Sequence, residues 1–217
     1  MIFMLAPLAG ALITLMNSLN SRLVARAGSL ATMLTVHLVG AAALAAIVAA
    51  RAALRWAGPR CGGAEPAPGQ TATRGALPFY AYWGGVVGVG TVFTSTYSYG
   101  ALGASLAVAL GLIGQTSFSL AVDATGAFGR QRRPLAWRRL PGIALIAAGA
   151  VCMAGNWRAD LPAIAAAFLS GCFVGASSVF NSRMGRERGL LRATGTNYLT
   201  GLATTLAIIA FTAPKPA

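Results

Sequence analysis

Three polar side chains recur at intervals of four residues in a stretch that is otherwise almost entirely apolar. They are Gln115, Ser119 and Asp123. On an α-helix this spacing places all three on one face, each about one turn from the next. An amide, a hydroxyl and a carboxylate aligned in this way can bind polar groups of a small molecule or bridge neighbouring helices. We predict that they line a substrate path, with a helix-bridging hydrogen bond as the alternative role for Gln115.

Asp123 is the only carboxylate at the depth of this apolar stretch, and such an acid is a functional candidate because its burial is costly. Three arginines follow it closely, at positions 130, 132 and 133. An ion pair with one of them, or a turn before Gly126, would satisfy the carboxylate without any ligand. We favour this second interpretation. No carboxylate lies near the middle of the stretch, so the sequence gives little support for proton coupling.

Three further polar residues are candidates for the same substrate path: Asn17, Asn20 and His37. Amides near helix ends can instead cap a helix or link it to a neighbour. Histidine can carry protons near neutral pH, but a lone histidine such as His37 in an apolar stretch is more often a hydrogen-bonded packing residue. Both alternatives remain open for each of the three.

Two glycine pairs at a spacing of four residues indicate close helix packing, Gly84 with Gly88 and Gly171 with Gly175. Small residues at this spacing let two backbones approach each other inside a bilayer. The sequence contains no paired carboxylates, no Ser-His-Asp arrangement and no cluster of metal ligands. We therefore predict that the protein is not an enzyme and needs neither a metal nor a cofactor.

The composition of the chain defines the environment in which these residues work. Of its 217 residues, 56% are hydrophobic and 10% are charged, whereas soluble domains contain about 25% charged residues. The net charge is +13, but the basic residues lie in short clusters far apart in the chain. This distribution fits no nucleic-acid-binding motif, and it indicates a membrane protein with basic loops.

Seven segments are apolar and long enough to cross a bilayer, which requires about 20 residues per helix. The predicted fold is therefore all-α, a polytopic bundle of seven transmembrane helices. The segments are Ile2–Leu19, Leu30–Ala50, Pro78–Tyr97, Leu102–Val122, Leu140–Gly155, Leu161–Phe180 and Ala193–Phe211.

The basic residues lie mostly on one side of this predicted topology. Loops rich in Lys and Arg stay in the cytoplasm, so we predict a multi-pass protein of the inner membrane with its N-terminus inside and its C-terminus outside. The inner side carries Arg51, Arg55, Arg60, Arg74, Arg130, Arg132, Arg133, Arg138, Arg139, Arg183, Arg186, Arg188 and Arg192. The outer side carries Arg22, Arg26, Arg158 and Lys215.

The chain matches itself when it is shifted by 161 residues. Asn20-Ser21-Arg22 falls on Asn181-Ser182-Arg183, and eight of the 21 positions from 20 to 40 are identical. Half of the identical residues are Asn, Arg or Gly, which an apolar composition does not explain, so we interpret the match as a duplication rather than a coincidence. Five predicted spans separate the copies, so the second copy must enter the membrane inverted. Inverted repeats are typical of secondary transporters.

We accordingly divide the chain into a first five-helix repeat, residues 1–156, and a partial second repeat, residues 161–217. The second copy contains two of its five expected spans. We therefore expect either a truncated gene product or a chain that completes its site by pairing, as a homodimer or with another half-transporter.

The segment from 111 to 129 reads GLIGQTSFSLAVDATGAFG and is followed by Arg132-Arg133-Pro134. Its Gly-Gln, Asp-x-x-Gly-x-x-Gly and Arg-Arg-Pro elements resemble the YdcZ family of the drug/metabolite transporter superfamily, as does the segment around Asn20. The resemblance covers residues 1–155 as one unit and 161–211 as the start of another. It implies an inner-membrane transporter whose half unit has about five spans.

Two functional hypotheses follow from these observations. The first is a small-molecule exporter that works by alternating access, with Gln115 in the substrate path. The second is a non-transporting membrane subunit, or a truncated half-repeat protein, that works only when it is paired with another chain. In both hypotheses the partners are the lipid bilayer and other helices, and no nucleic acid is involved.

Overall fold

The computed structural model of the protein describes residues 2–57, 77–133, 140–154 and 160–212. Within these ranges the chain forms six α-helices and two short 3-10 turns, and no strand. The all-α prediction is therefore confirmed. The helices are α1 (Ile2–Ala57), α2 (Gly84–Leu102), α3 (Ala104–Thr125), α4 (Leu140–Ala154), α5 (Leu161–Arg188) and α6 (Leu190–Thr212), and the 3-10 turns are Phe79–Tyr82 and Ala127–Gly129.

The first two predicted spans belong to one helical element, α1, which is interrupted at Gly28. The loop predicted between Leu19 and Leu30 is wrong, because nothing in that segment except the glycine is incompatible with a helix. Gly28 has φ 82° and ψ 166°, a conformation that residues with a Cβ rarely adopt. A single residue therefore redirects the chain where we expected a loop.

The same glycine junction occurs twice more in the protein. Gly103 joins α2 to α3 with φ 76° and ψ 159°, and Gly189 joins α5 to α6 with φ 85° and ψ 156°. Each of the three junctions, including Gly28, changes the helix direction within one residue. Gly28 and Gly189 are also equivalent positions in the 161-residue sequence match.

Three helical segments of the described chain are long and apolar enough to cross a membrane: Ser18–Leu54, Ala104–Thr125 and Leu161–Arg188. A shorter apolar helix covers Leu140–Cys152. Helices α2 and α6 fall outside this set because glycine, threonine and other polar residues lower their hydropathy. The structure supports a membrane protein, whereas the count of seven spans stays a prediction.

Helix α5 is the centre of the bundle. It packs against α2, α3 and α6, while α1 packs on α6 and α2, and α4 packs on α3. In the most apolar window of α5, 44% of the residues are buried, against 28% for α3 and 11% for α1. Small residues spaced along α5, including Ala163, Ala167, Gly171 and Gly175, are buried, so three neighbours can approach it at once.

Helix α5 is also longer than the predicted span, which ended at Phe180. Its 28 residues correspond to about 42 Å of helix at 1.5 Å per residue, more than the hydrocarbon thickness of about 30 Å. The prediction stopped at the polar Asn181, but a polar residue does not end a helix. The helix continues to Gly189 and carries the second Asn-Ser-Arg segment as part of its last turns.

Candidate functional site

The crossing of α3 and α5 is made by glycines. A Cβ added at Gly171 would overlap the backbone carbonyl of Gly111, and one added at Gly114 would overlap the carbonyl of Phe168. Cys172 Sγ also donates to the carbonyl of Gly114 at 3.5 Å. The two backbones therefore touch directly, and no larger residue fits at these positions.

The glycine pair of α2 does not behave as a unit. A Cβ on Gly84 would overlap Asn181 Oδ1, whereas one on Gly88 would meet nothing within 4 Å. Gly85, beside Gly84, would overlap the backbone carbonyl of Asn197. The close approach of α2 to the rest of the bundle therefore occurs at Gly84 and Gly85.

A network of polar side chains lies where α2, α5 and α6 meet. Ser177 Oγ donates to the carbonyl of Gly84 at 3.1 Å. Asn181 Nδ2 donates to Ser177 Oγ at 3.2 Å and to Asn197 Oδ1 at 3.1 Å. Such bonds are each worth about 0.6 kcal/mol inside a membrane. This Asn-Ser network links three helices whose other contacts are mainly apolar.

The Asn-Ser network opens into a cavity of about 640 Å³ between α5 and α6, which we call the α5–α6 cavity. Pockets that hold small molecules have volumes of about 300–1,000 Å³ and combine apolar walls with a few polar groups. The α5–α6 cavity fits both criteria. Its walls are formed by Asn181, Ser182, Gly185, Arg186, Leu190, Ala193, Thr194, Asn197 and Tyr198.

The chain folds into a tight turn directly after α3. Gly126 ends the helix in the left-handed conformation, with φ 71° and ψ 19°, and Phe128 also has a positive φ of 58°. Left-handed backbone is uncommon for a bulky residue and requires support from its surroundings. Tyr80 provides it, because its hydroxyl donates to the carbonyl of Phe128 at 2.7 Å.

Two further hydrogen bonds close this turn, from the backbone N–H of Arg133 to the carbonyl of Asp123 at 2.8 Å and from Arg132 Nε to the carbonyl of Ala124 at 2.9 Å. Each satisfies a carbonyl in the last turns of α3, where helical partners run out. The Nε–H of Arg132 is thereby committed to the backbone.

An aromatic cluster anchors the turn to the bundle. The ring of Phe128 lies 5.2 Å from the ring of Tyr80 and 5.2 Å from that of Phe180, both edge-to-face. Edge-to-face pairs add about 0.5–1.5 kcal/mol beyond the area that they bury. The turn after α3 is therefore fixed against the end of α5.

A second cavity, of about 290 Å³, lies between this turn and α5, and we call it the arginine cavity. Asp123 forms an ion pair with Arg130 at 3.8 Å, and Arg183 forms one with Glu187 at 3.4 Å. The lining residues are Asp123, Phe128, Gly129, Arg130, Gln131, Arg133, Val179, Ser182, Arg183 and Arg186.

The predicted ladder on α3 is divided between different surroundings. Ser119 Oγ donates to the backbone carbonyl of Gln115 at 2.9 Å, within its own helix. Gln115 lies where α3 crosses α5 at Gly171 and is not among the residues that line either of the two cavities. Asp123 alone of the three lines one, the arginine cavity.

The candidates on α1 lie elsewhere in the bundle. His37 is buried, with 5% of its surface exposed, and its Nδ1 donates to the carbonyl of Met33 at 2.7 Å. Asn20 is half-buried, and the side chain of Asn17 lies outside the described part of the chain. Of the α1 candidates with described side chains, neither Asn20 nor His37 is among the residues that line the arginine cavity with Asp123.

His37 takes part in a reciprocal contact between α1 and α6. A Cβ on Gly201 would overlap the ring of His37, and a Cβ on Gly40 would overlap the ring of Tyr198. The two rings meet edge-to-face at 6.5 Å. His37 and Gly40 are related to Tyr198 and Gly201 by the same shift of 161 residues.

The sequence alone did not identify several of these residues as parts of one site. The repeat drew attention to Asn181, but its bonding with Ser177 and Asn197 depends on how α5 and α6 pack. The role of Tyr80 depends on a contact 48 positions along the chain. A positive φ at Phe128 has no sequence signal, since glycine is the residue expected there.

Among the described residues, no group of three or more His, Cys, Asp or Glu side chains could hold a metal ion. The polar groups of the two cavities are mainly amides, hydroxyls and guanidinium groups. These groups bind polar or anionic organic molecules by hydrogen bonding.

An all-helical bundle with membrane-length apolar helices and polar cavities among them indicates the class, a helical membrane protein. Residues 1–152 match the family model described as "Putative inner membrane exporter, YdcZ". The chain belongs to this family, which confirms the family resemblance. The matched region includes α1 to α3 and most of α4, and it ends before α5. No curated protein and no solved structure matches the chain.

Proposed function

We propose that the protein exports a small molecule across the inner membrane by alternating access, and that its substrate occupies the α5–α6 cavity. The observation that carries this proposal is the cavity itself, about 640 Å³ in volume and lined by Asn181 and Asn197. Polar amides beside a cavity of this size, in a family of exporters, are suited to orienting a solute in apolar walls.

The proposal includes an inverted repeat of residues 1–156 and 161–217, although the boundary between them lies outside the described residues. The contact between α1 and α6 supports it. In a two-fold contact, residue i touches the partner of j, and j touches the partner of i. His37 against Gly201 and Tyr198 against Gly40 follow this rule. Repeats related in this way can rock against each other to expose a central site alternately.

We also propose that the turn after α3 and the end of α5 face the cytoplasm. Both are rich in arginine, and basic loops remain inside. A periplasm-dependent reporter fused to the C-terminus should be active, and the same reporter placed after Arg133 should be inactive. The opposite pattern would reverse the orientation.

A second candidate function is that of a subunit active only in a pair. The observation that favours it is the exposure of α1, in whose most apolar window 11% of the residues are buried. Leu8, Leu12, Leu15 and Leu19 are each more than half exposed. Lipid would cover this surface in an exporter that acts alone, and a further chain would cover part of it in a pair.

One experiment tests the exporter proposal while the cargo is still unidentified. Solutes released by cells that express the protein are compared, over all detectable compounds, with those released by cells that lack it and by cells that express Asn197→Leu or the exposed control Leu199→Ala. We expect at least one compound to accumulate outside the wild-type and Leu199→Ala cells only. Identical media for all four cultures would overturn the exporter proposal.

The pairing alternative is separated by reconstituting the purified chain alone in vesicles and loading them with the compound so identified. Release from these vesicles supports an exporter that needs no other kind of chain. Release from cells, combined with none from vesicles at matched protein levels, supports a pair with a different half-transporter.

A further inference from the structure

We propose that the arginine cavity is a binding site for a phosphate group. This inference goes beyond the proposed function, because it concerns a different cavity and holds whether or not the α5–α6 cavity carries a substrate. It rests on the four arginines, the buried donor of Arg183 and the fixed turn that positions them.

The charge around the cavity is strongly positive. Arg130 and Arg133 come from the turn after α3, and Arg183 and Arg186 come from the last turns of α5. Asp123 is the one carboxylate among the lining residues. Arginines from two separate elements therefore line the cavity, so an anion placed here can be bound from both sides. Guanidinium groups match phosphate oxygens in geometry as well as in charge.

Arg183 carries a donor that the protein itself does not satisfy. Its Nε is buried and has no hydrogen-bond partner, unlike every other buried side-chain nitrogen or oxygen in the described residues. Its Nη2 atom forms the ion pair with Glu187 at 3.4 Å. The guanidinium therefore has a paired nitrogen, Nη2, and an unpaired one, Nε. A buried donor without a partner is destabilising, so a turn of the Arg183 side chain that brings Nε to an anion in the cavity is favoured.

The turn after α3 holds its arginines in place before any ligand arrives. Phe128 is fixed by Tyr80, whose hydroxyl donates to its carbonyl at 2.7 Å, and the N–H of Arg133 is bound to the carbonyl of Asp123. Asp123 also pairs with Arg130, but at 3.8 Å, which is longer than a hydrogen bond. The ion pair therefore orients the Arg130 guanidinium but leaves its N–H groups able to donate hydrogen bonds to an anion.

The size of the cavity selects among anions. At about 290 Å³, it lies at the lower limit for drug-sized ligands, which need about 300–1,000 Å³. A single phosphate group with a few water molecules fits. The phosphate can come from two sources, the headgroup of an anionic lipid or free inorganic phosphate, and the experiment separates them.

The test uses the purified full-length chain. Binding of inorganic phosphate is measured by equilibrium dialysis of radiolabelled phosphate at constant ionic strength. Binding of lipid is measured by native mass spectrometry, as retained phosphatidylglycerol compared with retained phosphatidylcholine. The variants are Arg183→Gln and Arg130→Gln. The matched controls are Arg188→Gln and Arg192→Gln, which remove equal charge from nearby positions that do not line the cavity.

We expect the wild type and both controls to bind at least one of the two probes. Arg183→Gln and Arg130→Gln should bind that probe about tenfold more weakly, because each variant loses one charge-assisted hydrogen bond. Selective retention of phosphatidylglycerol identifies the lipid as the source, and binding of inorganic phosphate identifies the free anion. The proposal is overturned if the wild type binds neither probe, or if the controls weaken binding as much as the cavity variants.

A further variant, Arg183→Lys, separates loss of binding from loss of folding. It keeps the positive charge but removes the buried Nε–H and the planar guanidinium. We expect it to bind the same probe about tenfold more weakly at an unchanged melting temperature. Unchanged binding in Arg183→Lys would contradict the role given to Nε.

Discussion

The tripeptide Asn-Ser-Arg occurs twice, at residues 20–22 in α1 and 181–183 in α5, and the two copies have different surroundings. In α1, Asn20 is half-buried and Arg22 is exposed. In α5, Asn181 bonds to Ser177 and Asn197. Ser182 lines both cavities, and Arg183 is paired with Glu187. An identical local sequence forms helix in both places, but only the copy in α5 lines the α5–α6 cavity and the arginine cavity.

The difference lies in what packs against each copy. Helix α2 reaches the second copy at Gly84, and the turn after α3 reaches it through Arg130. The first copy lies on α1, the least buried of the membrane-length helices. The cavities therefore depend on which elements pack against the tripeptide and not on the tripeptide itself.

The largest effect is expected from Gly85→Ala, which forces α2 away from α6 beside the second copy. Its new Cβ would overlap the backbone of Asn197 and Gly201, which cannot move without displacing α6. Overpacking of this kind costs about 1–3 kcal/mol, more than the gain of about 1 kcal/mol from replacing glycine in a helix. The melting temperature in detergent should fall. Gly88→Ala, nearly one turn further along α2, meets open space and should leave it unchanged or raised.

The reciprocal contact between α1 and α6 should respond equally from both sides. Gly201→Ala would displace the His37 ring, and Gly40→Ala would displace the Tyr198 ring. Because side chains yield more easily than backbone, we expect a loss of about 1 kcal/mol for each. His37→Ala should rescue the first and Tyr198→Ala the second in double-mutant cycles of unfolding. A large effect in only one of the two glycines would argue against the symmetry of the contact.

A smaller difference is expected between the two copies themselves. Asn181→Leu breaks two hydrogen bonds and should lower the free energy of unfolding by about 1 kcal/mol, at about 0.6 kcal/mol per bond in a membrane. Asn20→Leu should change it by less than about 0.5 kcal/mol. Equal losses for the two variants, measured on the same purified chain, would mean that the first copy has partners of comparable strength.

A small effect on stability is also expected for Gln115→Leu. A single interhelical hydrogen bond is worth about 0.6 kcal/mol, and Gln115 lines neither the α5–α6 cavity nor the arginine cavity. We therefore expect export of the compound identified in the medium comparison to persist in this variant. Complete loss of export, at normal membrane levels, would return Gln115 to the substrate path.

Much of the fold could be predicted because it follows from local properties. Apolar stretches of adequate length produced helices at nearly the predicted positions of α3, α4 and α6. The boundaries failed where the chain turns within one residue, as at Gly28, or where a helix passes through polar residues, as at Asn181. Hydropathy measures the environment of a segment and not its backbone hydrogen bonding, so it cannot locate either kind of boundary.

The candidate site could be predicted only in part, because its contacts join residues far apart in the chain. Asp123 was identified as an acid beside arginines, and its ion pair with Arg130 agrees with the interpretation we favoured. The pairing of Asn181 with Asn197 needs the angle between α5 and α6, which a single sequence does not specify. The strained backbone of Phe128 needs Tyr80, 48 positions away.

The central claim is that the α5–α6 cavity is the aqueous passage of an exporter, and cysteine accessibility tests it most directly. In a chain whose three cysteines are replaced by alanine, Thr194→Cys lies in the cavity wall. Leu199→Cys lies on the same helix outside the cavity, at a position 63% exposed that we expect lipid to cover. A membrane-impermeant thiol reagent added to inside-out vesicles should label position 194 rapidly and position 199 slowly, and the exported compound should protect position 194. Equal, slow labelling of both positions would contradict the account.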